Sequence, residues 1–278
     1  LFNIEVWPDF SKQLIVNLHP VNDIRRMNQY FLEAHKKLQP GGYLAGCKTT
    51  IRSHRRSFYR KYPKFMAHTL YALNFMIHRV WPKIAGIQVF YFMLYKGRNR
   101  IVSRAELYGR LSFCGFRIIE SEYIDGLHYF IAQKSKTPSL DTNPSYGPVI
   151  KLKRVGQEGR FIEIYKFRTM HPYSEYIQDL VFEENQLQAN GKFKDDFRVT
   201  QWGKVLRRFW IDELPQLVNF LKGDLALVGV RALSSHYFSL YPREVKELRI
   251  KVKPGILPPY YADMPKSFDE IVESERRY

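Results

Sequence analysis

Residues 198–231 read RVTQWGKVLRRFWIDELPQLVNFLKGDLALVGVR. Leu214, Leu217, Val218 and Leu221 recur at helical spacing, which predicts a helix ending near Lys222-Gly223. The adjacent acids Asp212 and Glu213 fall at or just before its first turn. A helix start favours acids there, Asp212 as an N-cap and Glu213 as a first-turn carboxylate. A cap alone does not call for Arg198, Arg207, Arg208 and Arg231 around it. Cations gathered about a carboxylate pair suit a phosphate ester, because a carboxylate attacks phosphorus only where positive charge screens the approach of two anions. After the helix, Leu225–Val228 reads as a short strand that delivers Gly229-Val230-Arg231. The glycine permits close backbone approach and the arginine can hold a phosphate with two donors.

Upstream, GPVIKLKRVGQEGRFIEIYKFRTM (residues 147–170) gives two β-like runs around Gly156-Gln157-Glu158-Gly159, a loop suited to a hairpin. With a period of two, Lys166 and Arg168 share one face, Tyr165 and Phe167 the other. Residues 138–145 have the composition of a linker, which divides the chain into residues 1–137 and 146–278.

The 278 residues carry a net charge of +17, and 45% are hydrophobic, enough for a real core and not for a disordered tail. The charge is uneven: residues 1–143 hold 22 Lys/Arg against 9 Asp/Glu, residues 144–278 hold 22 against 18. No acid occurs between Glu33 and Glu106, a gap containing Lys48, Arg52, Arg55, Arg56, Arg60, Lys61 and Lys64. Such a one-sign stretch points to an anionic surface, nucleic acid or lipid head groups. Two uncharged legs, residues 65–77 and 84–95, follow around His78-Arg79-Val80-Trp81-Pro82-Lys83. Each is shorter than the roughly 20 apolar residues of a bilayer span. Their basic flanks and Tyr/Trp content suit a re-entrant or interfacial helix pair on an anionic lipid surface, against the alternative of two core helices. No nucleic-acid reader motif accompanies the charge. Cys47 and Cys114 form neither a disulfide framework nor a zinc pattern and read as buried, reduced thiols of a cytoplasmic compartment. LFNIEVWPDF lacks the features of a signal peptide, and the missing initiator Met suggests a fragment.

Asp23–Leu38 reads as an amphipathic helix stopped by Gln39-Pro40-Gly41-Gly42, followed by a short strand over residues 43–47. Ser103 with Glu106 three residues on has capping-box spacing for a second helix. Residues 115–120 and 127–132 read as two further strands. This order resembles the back half of a class I S-adenosylmethionine methyltransferase. The cofactor-holding loop of that family would lie before Leu1, so no cofactor residue carries over.

GPVIKLKRVG, YKFRTM, DDFRVTQWGKVLRR, DELPQLVNFLKGDLALVG and KPGI resemble, in order, the catalytic domain of bacterial sugar transferases, the monotopic phosphoglycosyl transferases. The resemblance covers residues 147 to about 257. It implies an enzyme that moves sugar-1-phosphate from a UDP-sugar to polyprenyl phosphate, releasing UMP, at the cytoplasmic face of the bacterial inner membrane. It further implies Asp212 as the nucleophile that forms a covalent phosphosugar, Glu213 as its partner on Mg²⁺, and Lys166, Arg198, Arg207 and Arg231 as phosphate or nucleotide contacts. Three departures stand out: Gly229-Val230-Arg231-Ala232 replaces the usual Gly-Pro-Arg-Pro, Leu257-Pro258-Pro259 replaces Thr-Gly-Trp, and the candidate insert ends about fifty residues before the catalytic segment. The fold expected is α+β: a small mixed catalytic domain with a β-hairpin and helices, behind a partial α/β methyltransferase-like region carrying the helix pair. The rival reading is a non-catalytic membrane adaptor of a glycan assembly complex.

Overall fold

The computed structural model describes residues 3–141, 144, 146–185 and 196–278. They form two units, one of residues 1–147 with 170–200, the other of residues 148–169 with 201–278.

In the first unit the strands β1 (Lys12–Asn17), β2 (Leu38–Thr49), β3 (Phe116–Ile124) and β4 (Leu127–Lys134) make a mixed sheet of order β1-β2-β4-β3. β1 runs parallel to β2, and β4 is antiparallel to both β2 and β3. Helix α1 (Met27–Lys37) covers the predicted position, but Gln39–Gly42 does not separate helix from strand. The chain enters β2 at Leu38, and the two glycines lie in an irregularity where the partner register jumps from Lys12/Leu38 to Leu14/Tyr43. Gly41 has φ +76°, and a Cβ on Gly42 would come within 3.0 Å of the Gln13 carbonyl, so a fuller residue would disturb the pairing.

Four helices follow: α2 (Ile51–Lys61), capped by Thr50, α3 (Lys64–Phe75), α4 (Ile87–Tyr95) and α5 (Arg104–Phe113). Ser103 accepts the Glu106 amide as the spacing predicts, but the Glu106 carboxylate does not return to the cap. It is buried and meets Arg79 at 2.5 Å, Arg110 at 3.1 Å and Lys83 at 3.5 Å. The charges that interrupt the apolar run 65–95 are therefore turned inward, through a π-helical turn at Met76–Val80 that buries His78 and Arg79. Burial alone would raise the Glu106 pKa, but Lys83, Arg79 and Arg110 hold it well below the usual carboxylate range. Phe65, Leu73 and Met76 of this segment are exposed, as are Val89, Phe90, Met93 and Leu94 on α4. Among the described residues no helix is long and apolar enough to cross a membrane.

Residues 170–200, which contain α6 (Gln178–Asn185), belong with this unit because Tyr173 and Ile177 join its core beside Tyr108, Leu111 and Phe113. Gly109 on α5 makes room: a Cβ there would fall 2.1 Å from the Tyr173 carbonyl. Cys47 and Cys114 are buried free thiols.

The second unit starts with the hairpin β5 (Val149–Val155) and β6 (Phe161–Phe167), closed around Gly156–Arg160 as the sequence indicates. Then come α7 (Gln201–Arg208), a 3₁₀ turn at Ile211–Glu213, α8 (Gln216–Leu221), β7 (Ala226–Val228), α9 (Ser235–Ser239), α10 (Arg243–Arg249), β8 (Gly255–Leu257), α11 (Tyr260–Asp263) and α12 (Phe268–Arg277). β7 and β8 pair in parallel. Leu233, Tyr241, Val245 and Val272 form a small core.

His128, buried, and His171, half-buried, give the first unit a pH dependence. His171 accepts a hydrogen bond from Arg79 on Nδ1 at 2.8 Å. Burial first, then the Arg79 charge, push its pKa down to about 3. Burial, with Lys48 and Arg104 nearby, takes His128 to about 4. Both would bind a proton in the unfolded chain below about 6.5 and stay neutral in the folded one, so stability is lost as pH falls below that value. Glu106 acts in the same direction below 4.5. The unfolding free energy in urea is expected to drop by about 2 kcal/mol per histidine between pH 6.5 and 5. The double variant His128→Gln/His171→Gln should show a flatter profile, and an unchanged slope would contradict the assignment.

Candidate active site

The acid pair does not begin the α-helix. Asp212 and Glu213 lie in the separate 3₁₀ turn, and α8 starts after Pro215. A capping role by way of the α8 dipole is thus replaced by a rigid bend before the helix. Trp210, immediately upstream, has φ 56° in the left-handed region that non-glycine residues seldom adopt. Asn219 ties α8 to the hairpin: its side chain accepts the Tyr165 amide at 3.0 Å and donates to the Glu163 carbonyl at 2.6 Å. It is wholly buried, so the turn and β6 keep a fixed spacing.

Across that spacing Lys166 Nζ reaches Glu213 Oε1 at 2.5 Å, and Arg231 Nη2 lies 3.8 Å from the same oxygen. Asp212, one residue away and half-buried, has no hydrogen bond or ion pair among the described residues. The two acids are therefore unequal: Glu213 is held by two cations, while the Asp212 carboxylate stands unpartnered.

Arg231 is placed from both sides. Its Nη1 donates to the Tyr260 hydroxyl at 3.1 Å, and its carbonyl accepts from Arg249, which also pairs with Glu275 on α12. Burial disfavours its charged form, but Tyr260, Tyr261 and Glu213 outweigh that and raise its pKa. The altered turn Gly229-Val230-Arg231-Ala232 is built by backbone crossing. A Cβ on Gly229 would meet the Lys253 carbonyl at 2.7 Å, and one on Gly255 the Gly229 amide at 2.1 Å. Close approach at Gly229 is what the sequence anticipated.

Lys166, Glu213 and Arg231 line a cavity of about 300 Å³ together with Arg154, Tyr237 and Tyr260. Asp212 belongs to the same turn as Glu213 but is not among the lining residues. Arg207 is exposed on α7 and donates through Nε to the Thr169 hydroxyl at 2.9 Å. α7 can approach Thr169 because Gly203 has no Cβ, which would fall 2.0 Å from the Thr169 carbonyl. Arg198 belongs to the first unit, buried, with Nε and Nη2 on the Asp196 carboxylate at 2.9 and 2.8 Å. Lys166, Asp212, Glu213 and Arg231 are thus gathered in one unit, whereas Arg207 and Arg198 have other immediate partners.

Sequence reading did not single out Arg154, Tyr237, Tyr260 or the Trp210–Tyr261 stack, whose rings lie 4.9 Å apart. For Arg154 a signal existed: in the hairpin register it pairs with Ile162, in phase with Ile164 and Lys166. Among the described residues no group of three or more His, Cys, Asp or Glu gathers to hold a metal. The donors at this site are the two carboxylates Asp212 and Glu213. That set fits Mg²⁺, which takes one or two carboxylates and completes its shell with water and substrate phosphate.

Residues 140–277 match the family model of the bacterial sugar transferases, and this half of the chain is a bacterial sugar transferase domain. Similar relatives include the galactosyl transferase CpsE of Streptococcus agalactiae, 38% identical over 137 residues, covering 48% of this chain and 30% of that protein. Another is the UDP-N-acetylgalactosamine-undecaprenyl-phosphate N-acetylgalactosaminephosphotransferase of Aeromonas hydrophila, 41% identical over 115 residues, with coverage of 40% and 25%. A third is the undecaprenyl-phosphate galactose phosphotransferase of Salmonella typhimurium, 38% identical over 109 residues, with coverage of 37% and 23%. The chain spans less than half the length of each of these relatives. Among solved structures, an S-adenosylmethionine-dependent methyltransferase from Methanosarcina mazei overlaps 47% of this chain and 63% of its own at 19% identity, with a TM-score of 0.30. A likeness at that score carries no inference about the first unit.

Proposed function

We propose that the chain transfers sugar-1-phosphate from a UDP-sugar to polyprenyl phosphate and releases UMP, the first step in building a surface polysaccharide. The observation that carries this reading is the unequal acid pair: Glu213, held by Lys166 and Arg231, lines a basic cavity, and the adjacent Asp212 has no partner among the described residues. The sugar transferase domain and the relatives named for undecaprenyl-phosphate phosphotransfer support it.

In the first half-reaction an Asp212 oxygen attacks the β-phosphorus of the UDP-sugar. The bond from that phosphorus to the bridging oxygen breaks, and UMP leaves with the electron pair. In the second, an oxygen of polyprenyl phosphate attacks the same phosphorus, the aspartyl oxygen–phosphorus bond breaks, and the Asp212 carboxylate is restored. One small site can treat two bulky anions in turn by this route. Lys166 and Arg231 offset the repulsion between carboxylate and phosphate, and Glu213 keeps both cations at the reacting end. Glu213 would hold Mg²⁺, which when bound supplies further neutralisation of phosphate charge.

UMP release from UDP-sugar in the presence of polyprenyl phosphate and Mg²⁺ is the expected activity. Asp212→Asn should lower its rate at least 10³-fold, since it removes the nucleophile at little cost in shape. A rate unchanged in Asp212→Asn would remove Asp212 from the mechanism. Lipid binding with no turnover would favour the adaptor reading.

The acceptor lies in a membrane, and the first unit offers a surface of matching chemistry. Arg52, Arg56 and Arg60 recur along α2, which buries none of its residues, and the exposed apolar residues of α3 and α4 follow. We place this surface on the anionic cytoplasmic face of the bacterial inner membrane. The protein should sediment with phosphatidylglycerol vesicles and much less with phosphatidylcholine, and Arg52→Gln/Arg56→Gln/Arg60→Gln should weaken the former several-fold. Equal binding to both vesicles would contradict an electrostatic surface.

A further inference from the structure

The cavity beside Glu213 holds more positive charge than its carboxylate accounts for. Lys166 and Arg231 both face Glu213, but Arg154, which lines the same cavity, meets no carboxylate among the described residues. Among the described residues its side chain makes one hydrogen bond, from Nη1 to the neighbouring Lys153 carbonyl at 3.0 Å. Two guanidinium groups at one cavity repel each other, and partial burial removes the water that would screen them. The cost shows on Arg154, whose pKa is lowered by burial first and by Arg231 second. An arrangement of this kind is relieved by an anion between the cations.

The hairpin fixes how large that anion is. Arg154 pairs with Ile162, four residues before Lys166 on β6, and Arg154, Ile164 and Lys166 share the sheet face on the cavity. Four strand residues span about 13 Å, a gap that two long side chains narrow from both ends to the size of a diphosphate. A single phosphate would leave one end without a partner. Lys166, Arg231 and Glu213 mark the end where the attacked phosphorus lies, so the remaining phosphate lies toward Arg154.

We infer that Arg154 is a further substrate-binding residue, holding the phosphate that departs with the nucleoside monophosphate while Lys166 and Arg231 hold the phosphate that is transferred. This rests on the nucleoside-diphosphate reading above. When the bridging bond breaks, negative charge grows on the departing phosphate, and a guanidinium fixed there stabilises that charge before and after cleavage.

The probe is UMP, titrated calorimetrically into the protein, with UDP-sugar turnover measured in parallel. Arg154→Gln is expected to weaken UMP binding at least tenfold and to raise KM for the UDP-sugar. Arg154→Lys should recover part of the loss, because the charge returns without the two-pronged geometry. Arg160→Gln, on the exposed turn of the same hairpin, should bind UMP as the unaltered protein does. The thermal midpoint of Arg154→Gln should be unchanged, which separates lost binding from lost fold. Unaltered protein that binds UMP, with Arg154→Gln binding it equally well, would overturn the role of Arg154 alone. Unaltered protein that binds neither UMP nor UDP-sugar would overturn the nucleotide-donor reading together with it.

Discussion

Glu213 holds two cationic side chains of the second unit at one point. Its carboxylate draws Lys166 from the hairpin and Arg231 from the end of β7 toward one point, and those two segments are brought there by different means. Asn219 staples β6 to the helix behind the turn, while Arg249 and Tyr260 fix Arg231. Partly buried ion pairs such as these are weak evidence for stability. Their consequence is geometric: with Glu213 engaged by Lys166 and Arg231, the neighbouring Asp212 on the same turn is left with an unpartnered carboxylate among the described residues. Reactivity toward an anion requires that combination of an available nucleophile and nearby positive charge.

The first unit organises its charge by the opposite device. Glu106 is fully buried beneath Arg79, Lys83 and Arg110. There desolvation is severe, and one carboxylate against three cations leaves an excess that lowers Lys83 to about 7, through burial first and Arg79 next. Removing either side of such a cluster strands the other in a low-dielectric interior. The cluster ties α5, the turn after α3 and, through His171, the chain after β6 into one body. This is why residues 170–200 belong with the first unit although they sit between two segments of the second.

What could be read in the sequence was what local rules govern. The hairpin followed from alternation around Gly156-Gln157-Glu158-Gly159, the start of α5 from Ser103 and Glu106, and the close approach at Gly229 from its lack of a side chain. The acid pair was visible because cations crowd around it. What escaped depended on partners distant in sequence. Arg154 becomes relevant only once the hairpin register sets it in phase with Lys166. The basic residues 79 and 83 looked like a membrane flank, and they turn inward because Glu106 lies 27 and 23 residues away to receive them. Arg198 was grouped with the acid pair, although Asp196, two residues before it, was already a nearer partner. The helix ends where Gln39–Gly42 predicted, but these residues lie inside the strand and not before it, because the glycines accommodate a register jump there.

The proposed mechanism requires Asp212 to form a bond to phosphorus. The most direct measurement is the intact and peptide mass of the protein after incubation with UDP-sugar and Mg²⁺ in the absence of polyprenyl phosphate. An added mass of one sugar phosphate is expected on the peptide carrying Asp212, lost again when polyprenyl phosphate is supplied. UMP release with no adduct, or an adduct on another residue, would contradict it.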